Sequence, residues 1–170
     1  MKLAAVLTDL DGTLLEHGGV LGAEARAAVA ELKRRGVPVV PLTSKTELEL
    51  RAFLSELDGG GIGSFENGAG VVGPGVLVVS PKAVPFEELR ARLAQLERRS
   101  GAALTPATEL PLAEVRRITG LAEEKLPAML ARGYGLPFLA PEGSEDALAR
   151  AAASMAGTRL TRGGQFWHLS

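Results

Sequence analysis

The sequence contains no cysteine. That excludes disulfides, thiolate nucleophiles and cysteine-held metals. Aromatic residues make up only 4% of the chain, too few for a base-stacking surface. An excess of either charge is missing as well, since 19 Lys and Arg stand against 20 Asp and Glu. Without a basic surplus, a nucleic-acid partner is not expected. No apolar run reaches membrane-spanning length, and no secretory n-region precedes the first apolar run. The expectation is a soluble, cytoplasmic protein with no membrane partner. What is present is a 170-residue chain with 46% apolar content. It can bury a sizeable core, as one domain or as a domain plus a small second one.

The stretch that organises the rest lies near the start. Residues 2–8 read as a strand buried on both faces, of the kind found inside a parallel sheet. At its carboxyl end stand Asp9 and Asp11. The side-chain period there is close to two, so both face one side while Leu10 points into the core. Two like charges held together repel, and a divalent cation is the usual compensation. Gly12 lets the chain leave the sheet sharply, and Thr13 adds a hydroxyl. Asp-Gly is also a common turn, but Asp-x-Asp-Gly-Thr after an apolar strand is far more specific than a bare turn.

A helix is expected over 22–35, then a second apolar strand over 37–42, with Pro38 at its first residue and Pro41 near its end. Thr43-Ser44-Lys45 follows, ahead of a helix over 46–57 with Leu48, Leu50, Phe53, Leu54 and Leu57 on its apolar face. A hydroxyl residue between a strand end and a helix start suits an anion such as phosphate. An ordinary N-cap reads the same way. Thr43 is the first choice for a phosphate contact and Ser44 the second. Lys45 adds a cation there or is a solvated helix residue. A Gly-rich turn spans 58–63, and a third strand spans 62–65. Glu66-Asn67-Gly68-Ala69 reads as a turn, followed by a hairpin over 70–79.

From Ser80 a second unit begins. Helices are expected over 86–99, 112–118, 122–132 and 144–155, the last with Ser144 as N-cap. A loop is expected over 105–111, and strands over 136–139, 158–161 and 165–169. That order fits an antiparallel sheet with helices on one face.

Asp9-Leu10-Asp11-Gly12-Thr13 resembles motif I of the haloacid dehalogenase superfamily of phosphotransferases. Thr43 and its neighbours match that superfamily's motif II. Glu66-Asn67-Gly68-Ala69 looks like the cap-entry signature of its sugar-phosphate-hydrolysing branch. Ile118-Thr119-Gly120-Leu121, Pro137-Phe138-Leu139 and Arg162-Gly163-Gly164-Gln165-Phe166-Trp167-His168-Leu169 resemble the cap of the mannosyl-3-phosphoglycerate phosphatase subfamily. The resemblance implies an α/β fold: an incomplete Rossmann-like parallel-sheet core over 1–79 and an α+β cap over 80–170. It implies hydrolysis of a phosphate monoester of a sugar or sugar acid through an aspartyl-phosphate. Asp9 would be the nucleophile and Asp11 the acid and base. Mg²⁺ would sit on Asp9, the carbonyl of Asp11 and a distant carboxylate. Thr43, Ser44 and Lys45 would hold the phosphoryl group. In the cap, Arg162 and the amides of Gly163 and Gly164 would grip a substrate anion, and His168 would hydrogen-bond a sugar or phosphate. Those cap residues also read as a plain Gly-Gly turn and a strand histidine.

The sequence departs from the pattern at two places. Residues 131–136 replace a charged segment usual in the subfamily. The superfamily also supplies a lysine and an acidic cluster after the cap. The only aspartates here are Asp9, Asp11, Asp58 and Asp146, and of the lysines only Lys45 is close to a motif. Three functions remain open: the mannosyl-3-phosphoglycerate-type phosphatase, a phosphatase of another sugar phosphate, and a catalytically weak or inactive phosphate-binding module. An incomplete core also predicts a homo-oligomer that covers its open side.

Overall fold

The computed structural model describes residues 3–16, 19–57 and 61–170. His17 and residues 58–60 of the Gly-rich turn expected over 58–63, Asp58 included, lie outside the described residues. Strand β1 (Val6–Thr8) is shorter than its apolar run. A small antiparallel flap follows, β2 (Leu15–Glu16) with β3 (Val20–Leu21). Helix α1 (Ala23–Arg34) ends where Gly36 takes φ +70°. Strand β4 (Val39–Pro41) pairs with β1 in parallel. Both prolines fit that pairing. Pro38 precedes β4 and accepts from the Val6 N–H at 2.9 Å, and Pro41 closes the strand.

Helix α2 (Glu47–Glu56) starts from Thr46, whose side chain and that of Glu49 form a reciprocal capping box. Leu50, Phe53 and Leu54 face inward. Leu48 does not join them and is 52% exposed. It lies two residues from Leu50, about 200° around the helix, and so on the far face. Strand β5 (Gly63–Phe65) meets β4 through one parallel bridge, Leu42 to Ser64. It continues into an antiparallel meander with β6 (Gly70–Gly73) and β7 (Val76–Val79). The expected three-stranded parallel sheet is therefore one parallel pair plus one bridge. Burial of β1 on both faces is also corrected. Leu7 is 66% exposed, because β1 pairs with β4 alone and no described residue covers that side. Leu10, Leu15, Leu21, Leu50, Phe53, Leu54, Phe65 and Val72 form the first apolar cluster.

The second half contains α3 (Phe86–Ser100), β8 (Thr105–Pro106), α4 (Leu112–Thr119), α5 (Leu126–Leu130), β9 (Leu136–Leu139), α6 (Glu145–Ala153), β10 (Leu160–Gly163) and β11 (Phe166–Leu169). The strands form one antiparallel sheet in the order β10-β11-β9-β8. Leu89, Leu93 and Leu96 of α3 and Leu148 of α6 pack with Leu136, Phe138 and Leu169 on one face. Helices on that face alone were expected. Instead, Val115 of α4 and Leu126 and Met129 of α5 pack on the other face with Phe166 and Leu139. The period of two explains both clusters, since neighbouring strand residues serve opposite faces.

Three further expectations change. The loop over 105–111 begins as β8 and includes a 3₁₀ turn at Ala107–Glu109. The helix over 122–132 is a 3₁₀ turn, Glu123–Lys125, and then only five residues of α-helix. Beyond Leu130 the backbone N–H groups of Gly133 and Tyr134 bond a side chain instead of continuing the ladder. Ser144 precedes α6 but caps nothing; its hydroxyl donates to the Pro141 carbonyl at 2.6 Å.

Candidate active site

The site begins where β1 ends. Leu10 is fully buried, while Asp9 and Asp11 on either side of it are exposed. This is the alternation expected at a strand end. The Leu10 carbonyl accepts the N–H groups of Leu14 and Leu15 at 3.0 and 2.7 Å, which folds the chain back beneath the carboxylates. Gly12 makes that reversal possible, because its φ of +74° is costly for any residue with a Cβ. Asp9 Oδ1 accepts the Leu10 N–H at 2.7 Å.

Parallel pairing brings the end of β4 beside the end of β1. Thr43 is buried, and its Oγ1 accepts the Lys45 N–H at 3.1 Å. The Lys45 side chain is only 14% exposed, and its Nζ lies 2.9 Å from Asp11 Oδ1. Glu49 Oε1 stands 3.9 Å from the same ammonium. Lys45 thus leaves the solvated face of the helix open as an alternative in sequence and takes the inward position in structure. Thr43, Ser44, Lys45, Asp9 and Asp11 are gathered at adjoining strand ends.

The cap residues divide. Arg162 and Trp167 are cross-strand neighbours on one face of the sheet. The Arg162 guanidinium lies 5.3 Å from the Trp167 ring and 3.1 Å from Glu145 Oε1. Gly164, with φ +57°, turns the hairpin between β10 and β11. His168 belongs to the opposite face, opposite Thr161 and close to Gly163. The structure therefore does not bring Arg162 and His168 together. His168 is drawn down to about pH 4 in its pKa, chiefly by burial, then by the nearby Arg132 charge, against a hydrogen bond with the Gly163 backbone. Its Nδ1 is buried and has no partner. A neutral ring of this kind accepts from a hydroxyl and does not attract an anion.

Two residues passed over in sequence lie between the halves. Glu66 is 3% exposed. Arg132 is half-buried. Burial lowers its pKa, while the Glu49 and Glu66 carboxylates act the other way. A buried carboxylate needs donors, so the Glu in Glu-Asn-Gly-Ala was a usable signal. Arg132 offered none beyond its place in the departing segment.

Among the described residues, no group of three or more His, Cys, Asp or Glu could hold a metal ion. The donor set that is present still suits Mg²⁺. Asp9 supplies an exposed carboxylate and Asp11 a main-chain oxygen, both hard ligands, and Mg²⁺ keeps several waters beside one or two carboxylates. No helix among the described residues is long and apolar enough to cross a membrane.

Residues 6–98 match the family model described as haloacid dehalogenase-like hydrolase. A glucosyl-3-phosphoglycerate/mannosyl-3-phosphoglycerate phosphatase of Methanococcoides burtonii is 28% identical over 96% of this chain and 66% of its own length. The protein of the same description from Persephonella marina is 25% identical over 96% of this chain and 65% of its own. The chain thus spans just under two thirds of these relatives. In fold it is similar to a haloacid dehalogenase-like hydrolase from Bacteroides thetaiotaomicron, with a TM-score of 0.68 at 14% identity, covering 99% of this chain and 71% of that one.

Proposed function

The chain belongs to the haloacid dehalogenase-like hydrolase family, and from that premise we propose that it hydrolyses a phosphate monoester of a sugar or sugar acid. The observation that carries this reading is the meeting of two strand ends: the Asp-x-Asp pair beside the buried Thr43 and the inward Lys45, 2.9 Å from Asp11. The relatives' description points to the substrate class, a hexosyl-3-phosphoglycerate. The reading divides the chain at residue 79 into core and cap, supported by apolar clusters that separate near that point.

Asp9 attacks phosphorus, the P–O bond to the sugar breaks, and an aspartyl-phosphate forms. Asp11 gives its proton to the departing alkoxide and then takes one from the water that attacks the aspartyl-phosphate. Inorganic phosphate leaves and Asp9 is restored. Thr43 and the Ser44 and Lys45 segment hold the phosphoryl oxygens, and the Lys45 ammonium offsets their charge. Charge placement matters most because phosphoryl transfer needs little other help. Mg²⁺, when bound at Asp9 and the Asp11 carbonyl, supplies further neutralisation of phosphate charge.

The test is phosphate release from a panel that includes mannosyl- and glucosyl-3-phosphoglycerate, with and without Mg²⁺, for the wild-type chain and Asp9→Asn. The reading expects Mg²⁺-dependent release that Asp9→Asn abolishes. Release that survives Asp9→Asn rejects the mechanism. Phosphate binding without release from any ester supports a binding module instead.

A further inference from the structure

Three consecutive carbonyls carry the loop beneath the strand-end site. The Thr43 carbonyl accepts the Asn67 N–H at 3.0 Å and the Lys45 carbonyl accepts the Glu66 N–H at 2.9 Å. Between them, the Ser44 carbonyl accepts Arg132 Nη1 at 2.6 Å. With its carbonyls fixed on one side, the loop turns its polar groups to the other. There the Lys45 N–H meets Thr43 Oγ1 and the Lys45 ammonium meets Asp11.

The pinning groups are themselves held from the second half. The Glu66 carboxylate accepts the Gly133 N–H at 2.9 Å and the Tyr134 N–H at 2.8 Å, one on each oxygen. Arg132 Nε donates to the Met129 carbonyl at 3.1 Å. Glu66 and Asn67 both have positive φ, 44° and 57°. Asparagine adopts such backbone readily, but for Glu66 it is strained and persists only where the surroundings enforce it. Of the two charged side chains, Glu66 is buried and Arg132 half-buried.

We propose that Glu66 and Arg132 are positioning residues. Together they clamp segment 131–135 onto loop 43–45 and set Thr43, Ser44 and Lys45 in the arrangement that receives a phosphoryl group. The proposal rests on the phosphatase reading and adds the cap's part in building the phosphate site. Neither residue touches the reacting atoms; each acts through the loop.

Calorimetry of inorganic phosphate binding, with Mg²⁺ present and well below each melting temperature, tests it on the full chain. Arg132→Met and Glu66→Gln are expected to bind phosphate roughly tenfold more weakly, the scale of one lost hydrogen bond to a charged group. Arg132→Lys, which keeps the charge and one donor to Ser44, is expected to recover much of that loss. Exchange of the Lys45 amide proton, read by NMR, should quicken in Glu66→Gln; this holds the test open should Arg132→Met fail to fold. Wild-type phosphate affinity in folded Glu66→Gln, or an unchanged Lys45 amide, overturns the clamp and leaves the phosphatase reading standing. A wild-type chain that binds no phosphate, and is indifferent to Thr43→Val, overturns both.

Discussion

Replacing Lys45 by Met removes the cation that stands 2.9 Å from Asp11. Turnover of the phosphate ester, measured as kcat/KM with Mg²⁺ saturating, is expected to fall by about 100- to 1000-fold, the usual scale for one charge-stabilising group. A change below twofold would return Lys45 to the solvated alternative. His168 makes a different prediction. Its folded pKa of about 4 lies below the ordinary value of 6.5. Between those values the unfolded chain binds more protons than the folded one, so stability rises with pH across that window. The stability is fully present above pH 6.5 and is lost as pH drops towards 4. The loss is on the order of 2–3 kcal/mol relative to His168→Leu. Urea titrations of both proteins at pH 7 and pH 4.5 measure it, and parallel pH profiles would contradict it. At this scale Asp9, Asp11 and Thr43 were legible because each follows a strand end, where periodicity alone fixes direction. Arg162 was not legible in the same way. His168 follows six residues later, but the hairpin register pairs Arg162 with Trp167 and His168 with Thr161, which sends the two to opposite faces.

Thr46 joins two elements. It closes the capping box of α2, and its hydroxyl donates to the Ala128 carbonyl at 2.8 Å across to α5. Thr46→Ala is expected to cost about 1–2 kcal/mol, since a cap and a buried hydrogen bond are lost together. Thermal unfolding checks the size, and Thr46→Ser, which keeps both bonds, should stay near wild type. Gly70 in β6 tests sheet packing. A Cβ there would fall 2.5 Å from the Phe65 ring and 2.7 Å from the Val78 carbonyl. Gly70→Ala is expected to destabilise by about 1–3 kcal/mol through overpacking, and an unchanged melting temperature would contradict the register. Most helices and the β6–β7 hairpin were readable from apolar period and turn residues. The end of α5 was not. Gly133 and Gly135 permit many conformations, and the choice among them depends on Glu66, some 67 residues earlier in the chain.

The whole molecule exposes apolar strand surface. Among the described residues, Leu7, Leu42 and all four residues of β7 are exposed, and β1 and β7 each have an unpaired edge. Edges of this kind pair with other chains. Light scattering across a concentration series is expected to show self-association, and a monomer throughout would contradict it. Composition and motif order made the two-part α/β plan readable, because each half carries its own apolar periodicity. The joint between the halves was unreadable, because Glu66, Arg132 and Thr46 act through contacts far apart in sequence. The central claim is that Asp9 is the group that takes up phosphate. The most direct measurement is mass spectrometry of the chain acid-quenched during turnover of a hexosyl-3-phosphoglycerate with Mg²⁺. The account predicts a phosphoryl adduct on Asp9 that is absent from Asp9→Asn. Turnover with no adduct on Asp9 at any quench time, or an adduct on another residue, would contradict it.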